Sequence, residues 1–173
     1  MKKILTLCVA AMMAITTVSA KSYTYAIGVV TGLEWGAGLK VNLTEHLTVL
    51  NDLSWVMMPR TVFGTEGGSV AMGYSGLIDN ANVAYQMPLT NGQGIELNLY
   101  AGGGLSLGWA NVIAENGAGK FGINALVGIE ANITNAPIEF TFDFRPGYAT
   151  LFTKDGALHG FDWGLVLGVR YTL

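Results

Sequence analysis

Phe121-Gly122-Ile123-Asn124-Ala125-Leu126-Val127-Gly128-Ile129-Glu130-Ala131-Asn132-Ile133 is the stretch that decides the fold. Every second residue from Phe121 to Ile133 is apolar, and the residues between are Gly, Asn, Glu and a single Leu. Successive side chains of an extended strand point to opposite faces, so a period of two marks a strand lying between two different environments. The pattern continues downstream. Ile138, Phe140, Phe142 and Phe144 alternate with Glu139, Thr141, Asp143 and Arg145. Leu165, Leu167, Val169, Tyr171 and Leu173 alternate with Gly164, Val166, Gly168, Arg170 and Thr172. One face is apolar throughout, while the other carries only Leu126 and Val166 as large apolar residues. No window shows a comparable stripe at helical spacing.

The same phase recovers five earlier strands, at about Tyr23–Thr31, Trp35–Leu43, Leu47–Met57, Asn80–Met87 and Ile95–Trp109, with Asn51 breaking the pattern in the third. Eight strands is the smallest number used by single-chain outer-membrane barrels. Short turns follow strands two, four and six, at Thr44-Glu45-His46, Thr90–Gly94 and Thr134–Pro137. Longer connections follow strands three, five and seven, at about Pro59–Gly76, Val112–Lys120 and Thr150–Gly160. Outer-membrane barrels put short turns in the periplasm and long loops outside; the short first connection at Gly32-Leu33-Glu34 is the exception. The fold expected is all-β, an eight-stranded antiparallel up-and-down transmembrane barrel. Its loop from Pro59 to Gly76, the longest, is expected to be mobile and open to ligands.

Composition agrees. Charged residues make up 12% of the 173-residue chain, about half the share of an ordinary globular protein, and mean hydropathy is +0.42. Outside the N-terminus no apolar run reaches about 18 residues, which excludes helical spans. Residues 1–20 read as a signal peptide: Lys2 and Lys3 ahead of the apolar Ile4–Val18, then the small-residue site Val18-Ser19-Ala20. The barrel domain is then 21–173. Cys8, the one cysteine, lies in that leader behind Leu7, which argues against lipidation. The rest of the chain can form no disulfide and offers no thiolate ligand or nucleophile. Without Lys2 and Lys3 it carries 7 basic and 12 acidic residues, so it shows no basic footprint for nucleic acid.

Side-chain volume decides which face meets lipid. The interior of an eight-stranded barrel is only just wide enough for side chains, so the Gly, Ala, Ser, Asn and Thr of the polar face belong inside. Leu, Ile, Phe and Trp belong outside. Trp35, Trp55, Trp109 and Trp163 share the apolar parity and fall at the extracellular rim, while Tyr25, Tyr85 and Tyr171 share it at the periplasmic rim. Two aromatic girdles around an apolar band suit a bilayer, because amphipathic rings settle at headgroup level.

On these patterns the chain resembles the small eight-stranded outer-membrane barrels of the OmpA/OmpX type, in the manner of Bacteroidetes barrel-domain proteins. The resemblance implies a bacterial outer-membrane location, insertion among outer-membrane lipids as a monomer, and delivery by periplasmic chaperones to the barrel-assembly machinery. The C-terminal strand is similar to the signal that machinery reads, with Gly168, Tyr171 and Leu173 in place. It departs from that signal in ending on Leu rather than Phe and in having Val166 at a usually polar position.

Some barrels of this kind modify lipid A with a His, a Ser and a carboxylate at one rim. Here His46 and His159 fall at opposite ends, so no catalytic residue, metal ligand or cofactor is expected. The glycine run Gly102-Gly103-Gly104 lies inside a strand with no following helix, which excludes a phosphate loop. What remains is a structural or surface-interaction barrel, with a narrow porin-like channel as the alternative. The inward charges bear on that choice. Lys40, Glu96, Glu130, Glu139 and Arg170 are expected in the periplasmic half of the lumen, with Asp52, Asp143 and Arg145 nearer mid-height. A network centred on Arg170, Lys40, Glu130 and Glu139 would plug the barrel, because a dehydrated charge needs a partner.

Overall fold

A computed structural model describes residues 23–56, 61–65, 68–72, 74–91, 94–112 and 115–173. The leader expected over 1–20 lies outside the described residues. Eight strands form the ring: β1 (Tyr25–Gly32), β2 (Glu34–Asn42), β3 (Leu47–Val56), β6 (Tyr74–Asn91), β7 (Ile95–Val112), β8 (Glu115–Ile133), β9 (Ile138–Thr153) and β10 (Gly156–Thr172). Each pairs antiparallel with its sequence neighbour, and β1 pairs with β10 through Ile27↔Tyr171 to close the cylinder. The chain is thus an all-β, eight-stranded up-and-down barrel. Closure leaves no free edge around the wall.

Two further strands, β4 (Thr61–Thr65) and β5 (Gly68–Met72), form a hairpin within the β3–β6 connection. β1 ends at Gly32, where φ is 126°, a value that glycine reaches without steric cost. Its register on β10 therefore stops at Val166. Above that point β10 would present unpaired backbone groups. β4 takes them, from Asp162↔Thr61 to His159↔Gly64, as the hydrogen-bonding demand of an exposed edge requires. The expected mobile loop therefore contains a paired hairpin over 61–72.

The other long connections are corrected in the same sense. β8 already begins at Glu115, β9 runs to Thr153 and β10 starts at Gly156, so most of the segments read as loops at 112–120 and 150–160 is strand. Ala110, Ala118, Lys120, Leu151 and Asp162 keep the inward parity and are buried, and the inner wall continues upward through them. β6 to β10 are 16–19 residues long, against about 10 for a membrane-spanning strand. The barrel has a short-turn end and a tall hairpin end.

Parity assigns the two faces. Phe140, Phe142, Phe144, Leu165, Leu167 and Val169 stand exposed on the outer wall, whereas Glu139, Asp143, Arg145, Val166 and Arg170 between them are buried.

Candidate functional site

The lumen is where polar chemistry concentrates. In its lower part, toward the short turns, Lys40 of β2 reaches across between two carboxylates from β8 and β9. Its ammonium pairs with Glu130 and, at 2.6 Å, with Glu139. Tyr23, just ahead of β1, accepts from Lys40 Nζ at 2.7 Å and donates to Glu139 Oε2 at 2.5 Å. Burial first, then the charges of Glu130 and Glu139, hold the Tyr23 phenol well above its ordinary range, so it serves as a neutral donor. Gln86 Nε2 donates to Glu130 Oε2 at 2.7 Å and Asn132 Nδ2 to Glu130 Oε1 at 2.8 Å. Both oxygens of that carboxylate are satisfied.

Arg170 joins this layer to the next. It faces Glu139 at the same register position across β9 and β10. Its Nη1 donates to Glu139 Oε1 at 3.2 Å and Thr141 Oγ1 at 2.9 Å, and its Nη2 to Asp52 Oδ1 at 3.2 Å. The guanidinium fits because two glycines leave room. A Cβ on Gly168 would stand 2.9 Å from Arg170 Nη1, and one on Gly38 would stand 2.7 Å from Asp52 Oδ1 and 3.2 Å from Arg170 Nε. At mid-height Arg145 gathers three carboxylates: Asp143 at 2.5 Å, Asp52 at 2.6 Å and Glu34 at 3.5 Å. Tyr100 Oη donates to Asp143 Oδ2 at 2.9 Å and Asn80 Nδ2 to Glu34 Oε2 at 3.3 Å. Three bases thus meet five carboxylates in these two layers, and neutral donors make up the shortfall. Lys40, Asp52, Glu130, Glu139, Asp143, Arg145 and Arg170 are at most 5% exposed.

Above Arg145 lies a polar cavity of about 20 Å³, bordered by Glu34, Asn80, Ser106 and Asp162, enough for a single water. The hairpin end is then closed differently. Val56, Tyr74, Ile78, Ala110, Ala118 and Leu151 form an apolar cluster. Lys120 Nζ lies 2.6 Å from Asp162 Oδ2 and Tyr74 Oη donates to the same oxygen at 3.0 Å. At the opposite end an open vestibule of about 420 Å³ is lined by Tyr23, Glu96, Asn132 and the Thr134–Pro137 turn.

Of the charges singled out in the sequence, seven are brought into one buried network. Glu96 is not among them: it sits half-buried at the vestibule and, among the described residues, touches the network through Asn98 Nδ2, 3.1 Å away. The hub is also displaced, because Arg145 holds more carboxylates than Arg170. Sequence reasoning missed Tyr23, Glu34, Tyr100, Lys120 and Asp162. Inward parity, carried one or two residues past the assumed strand ends, would have found Glu34, Lys120 and Asp162.

The rims hold the aromatics. Trp35 and Trp55 are direct cross-strand partners, Trp109 pairs with Leu77, and all three tryptophans are exposed. Trp163 keeps the outward parity opposite Pro146 and is half-buried. Toward the other end Tyr85 and Tyr171 are exposed and Tyr25 is half-buried. Gly168 faces the lumen, while Tyr171 and Leu173 stand exposed at the end of β10. His46 stacks on Tyr85 and approaches the Gln86 carbonyl at 3.2 Å, whereas His159 lies beside Tyr148 at the hairpin end.

These features define a class: a closed eight-stranded barrel, apolar outside and ionic within. No family model matches the chain, and no curated protein sequence does. Among solved structures it is similar to the crystal structure of Ail, the attachment invasion locus protein of Yersinia pestis, with a TM-score of 0.35 and 16% identity over 85% of this chain and 93% of that one. The barrel itself rests on the strand register given above.

Proposed function

We propose that the chain is an outer-membrane barrel that spans lipid, conducts nothing, and acts as a structural or surface-interaction protein through its hairpin end. The contrast between the two faces of one sheet carries this reading. Thirty large apolar side chains of the described residues stand exposed on the outside, whereas a soluble monomer rarely exposes a contiguous apolar patch beyond a few hundred Å². The inside is filled by paired charges. The tall hairpins β7–β8 and β9–β10, with β4–β5 against β10, offer a rigid platform for an external ligand. Delivery by periplasmic chaperones and the barrel-assembly machinery, through the end of β10, belongs to the same proposal. So does kinship with Bacteroidetes barrel-domain proteins. Catalysis is not part of it, since the two histidines lie at opposite ends.

Refolding into phosphatidylcholine vesicles tests the reading. Folded protein should migrate faster than boiled protein in electrophoresis, and its tryptophans should be quenched most by lipids brominated near the headgroup. A chain that stays soluble without detergent and shows no quenching would overturn it.

A further inference from the structure

Among the described residues, the outer wall carries one carboxylate–amide pair between its aromatic rims. Asn51 of β3 and Asp79 of β6 keep the outward parity of Val49, Leu53 and Trp55 and of Leu77, Ala81 and Val83. Between the level of Trp35, Trp55 and Trp109 and that of Tyr85 and Tyr171, the other outward residues among those described are apolar or glycine, apart from the hydroxyls of Thr31 and Thr150 near the tryptophan rim. Asn51 lies four residues below Trp55, about 13 Å along the strand, and four above Leu47, which pairs with Tyr85. The pair is therefore in the band that faces hydrocarbon, one of the least favourable places for a carboxylate. Asn51 Nδ2 donates to Asp79 Oδ1 at 2.7 Å. Among the described residues, the second carboxylate oxygen and the Asn51 amide oxygen have no partner.

We infer that this patch faces a second copy of the chain, with two barrels packed back to back through β3 and β6. The inference rests on the membrane reading above and replaces the expected monomer. A two-fold contact requires one patch to carry both halves of the match. Here donor and acceptor are neighbours, so a two-fold axis sets the second Asn51 N–H of each copy, which within the chain reaches only the Asn80 carbonyl at 3.5 Å, against the free Asp79 oxygen of the other. Lipid chains offer no such donor. Ala81, the cross-strand partner of Asn51, and Ala37, the partner of Leu53, are short and flank the pair. Small residues let two membrane walls approach closely.

The full chain with Cys8→Ser, reconstituted at low density in phosphatidylcholine vesicles, provides the test. A cysteine at Ala81 should cross-link copies at least tenfold more than one at Leu167 on the far wall. Single-molecule photobleaching should show two steps for the parent chain and one for Asn51→Leu with Asp79→Leu, which should still migrate as folded barrel. Equal cross-linking at the two sites, single-step bleaching of the parent at every density, or two-step bleaching of the double variant would overturn the dimer. Failure to enter vesicles at all would instead strike the membrane reading.

Discussion

The lower and upper halves of the lumen are sealed by opposite means. Toward the short turns, Lys40, Arg170 and Arg145 are laced to five carboxylates around a small apolar cluster of Leu50, Ala84, Tyr100 and Leu126. Toward the hairpins, Val56, Ile78, Ala110, Ala118 and Leu151 pack against one another, with one ion pair, Lys120–Asp162, among the described residues. The lower filling is directional, so its groups depend on each other. The upper depends on volume, and each side chain contributes almost independently. A charge whose partner is removed stays buried and uncompensated, whereas a shortened apolar side chain leaves only a cavity.

That contrast orders the expected effects, each read from urea unfolding in vesicles. The largest should follow Arg145→Ala, which leaves Asp52, Asp143 and Glu34 without their common cation and should cost about 3–5 kcal/mol. A loss below about 1 kcal/mol would show that water compensates these carboxylates and that the lower half is not dry. Gly38→Ala should come next, because its methyl group would meet Asp52 Oδ1 at 2.7 Å; overpacking of this kind costs about 1–3 kcal/mol. Ile78→Val, in the apolar half, should cost about 1 kcal/mol, and its effect should add to that of Arg145→Ala, since distant sites without shared partners do so within about 0.5 kcal/mol. Marked non-additivity would dissolve the two-region picture. The smallest net change is expected for Lys120→Met combined with Asp162→Leu, within about 1 kcal/mol of the parent, because an ion pair replaced whole by apolar residues is often close to neutral.

How far the sequence revealed this structure depended on locality. Arg170 and Glu139 could be set side by side because both lie on regular alternating strands joined in register. Glu34 was passed over, since a connection of a few residues reads as turn, although parity carried one residue back from Trp35 already points it inward against Arg145. The β4–β5 hairpin escaped for a different reason: it is held by the upper edge of β10, almost a hundred residues away, and that edge is bare only because β1 stops at Gly32. Asp79 was lost to a strand start placed one residue late, although its neighbour Asn51 had already disturbed the apolar face. Alternation reports which way a side chain points, but not where a strand ends or which distant edge needs covering.

Current across a planar bilayer probes the sealed lumen most directly. The refolded parent chain should insert without opening steps at any applied voltage, while Arg145→Ala, with the mid-height network broken, should flicker. A stable, ohmic conductance of the parent, unchanged in Arg145→Ala, would contradict the plug and make the barrel a channel.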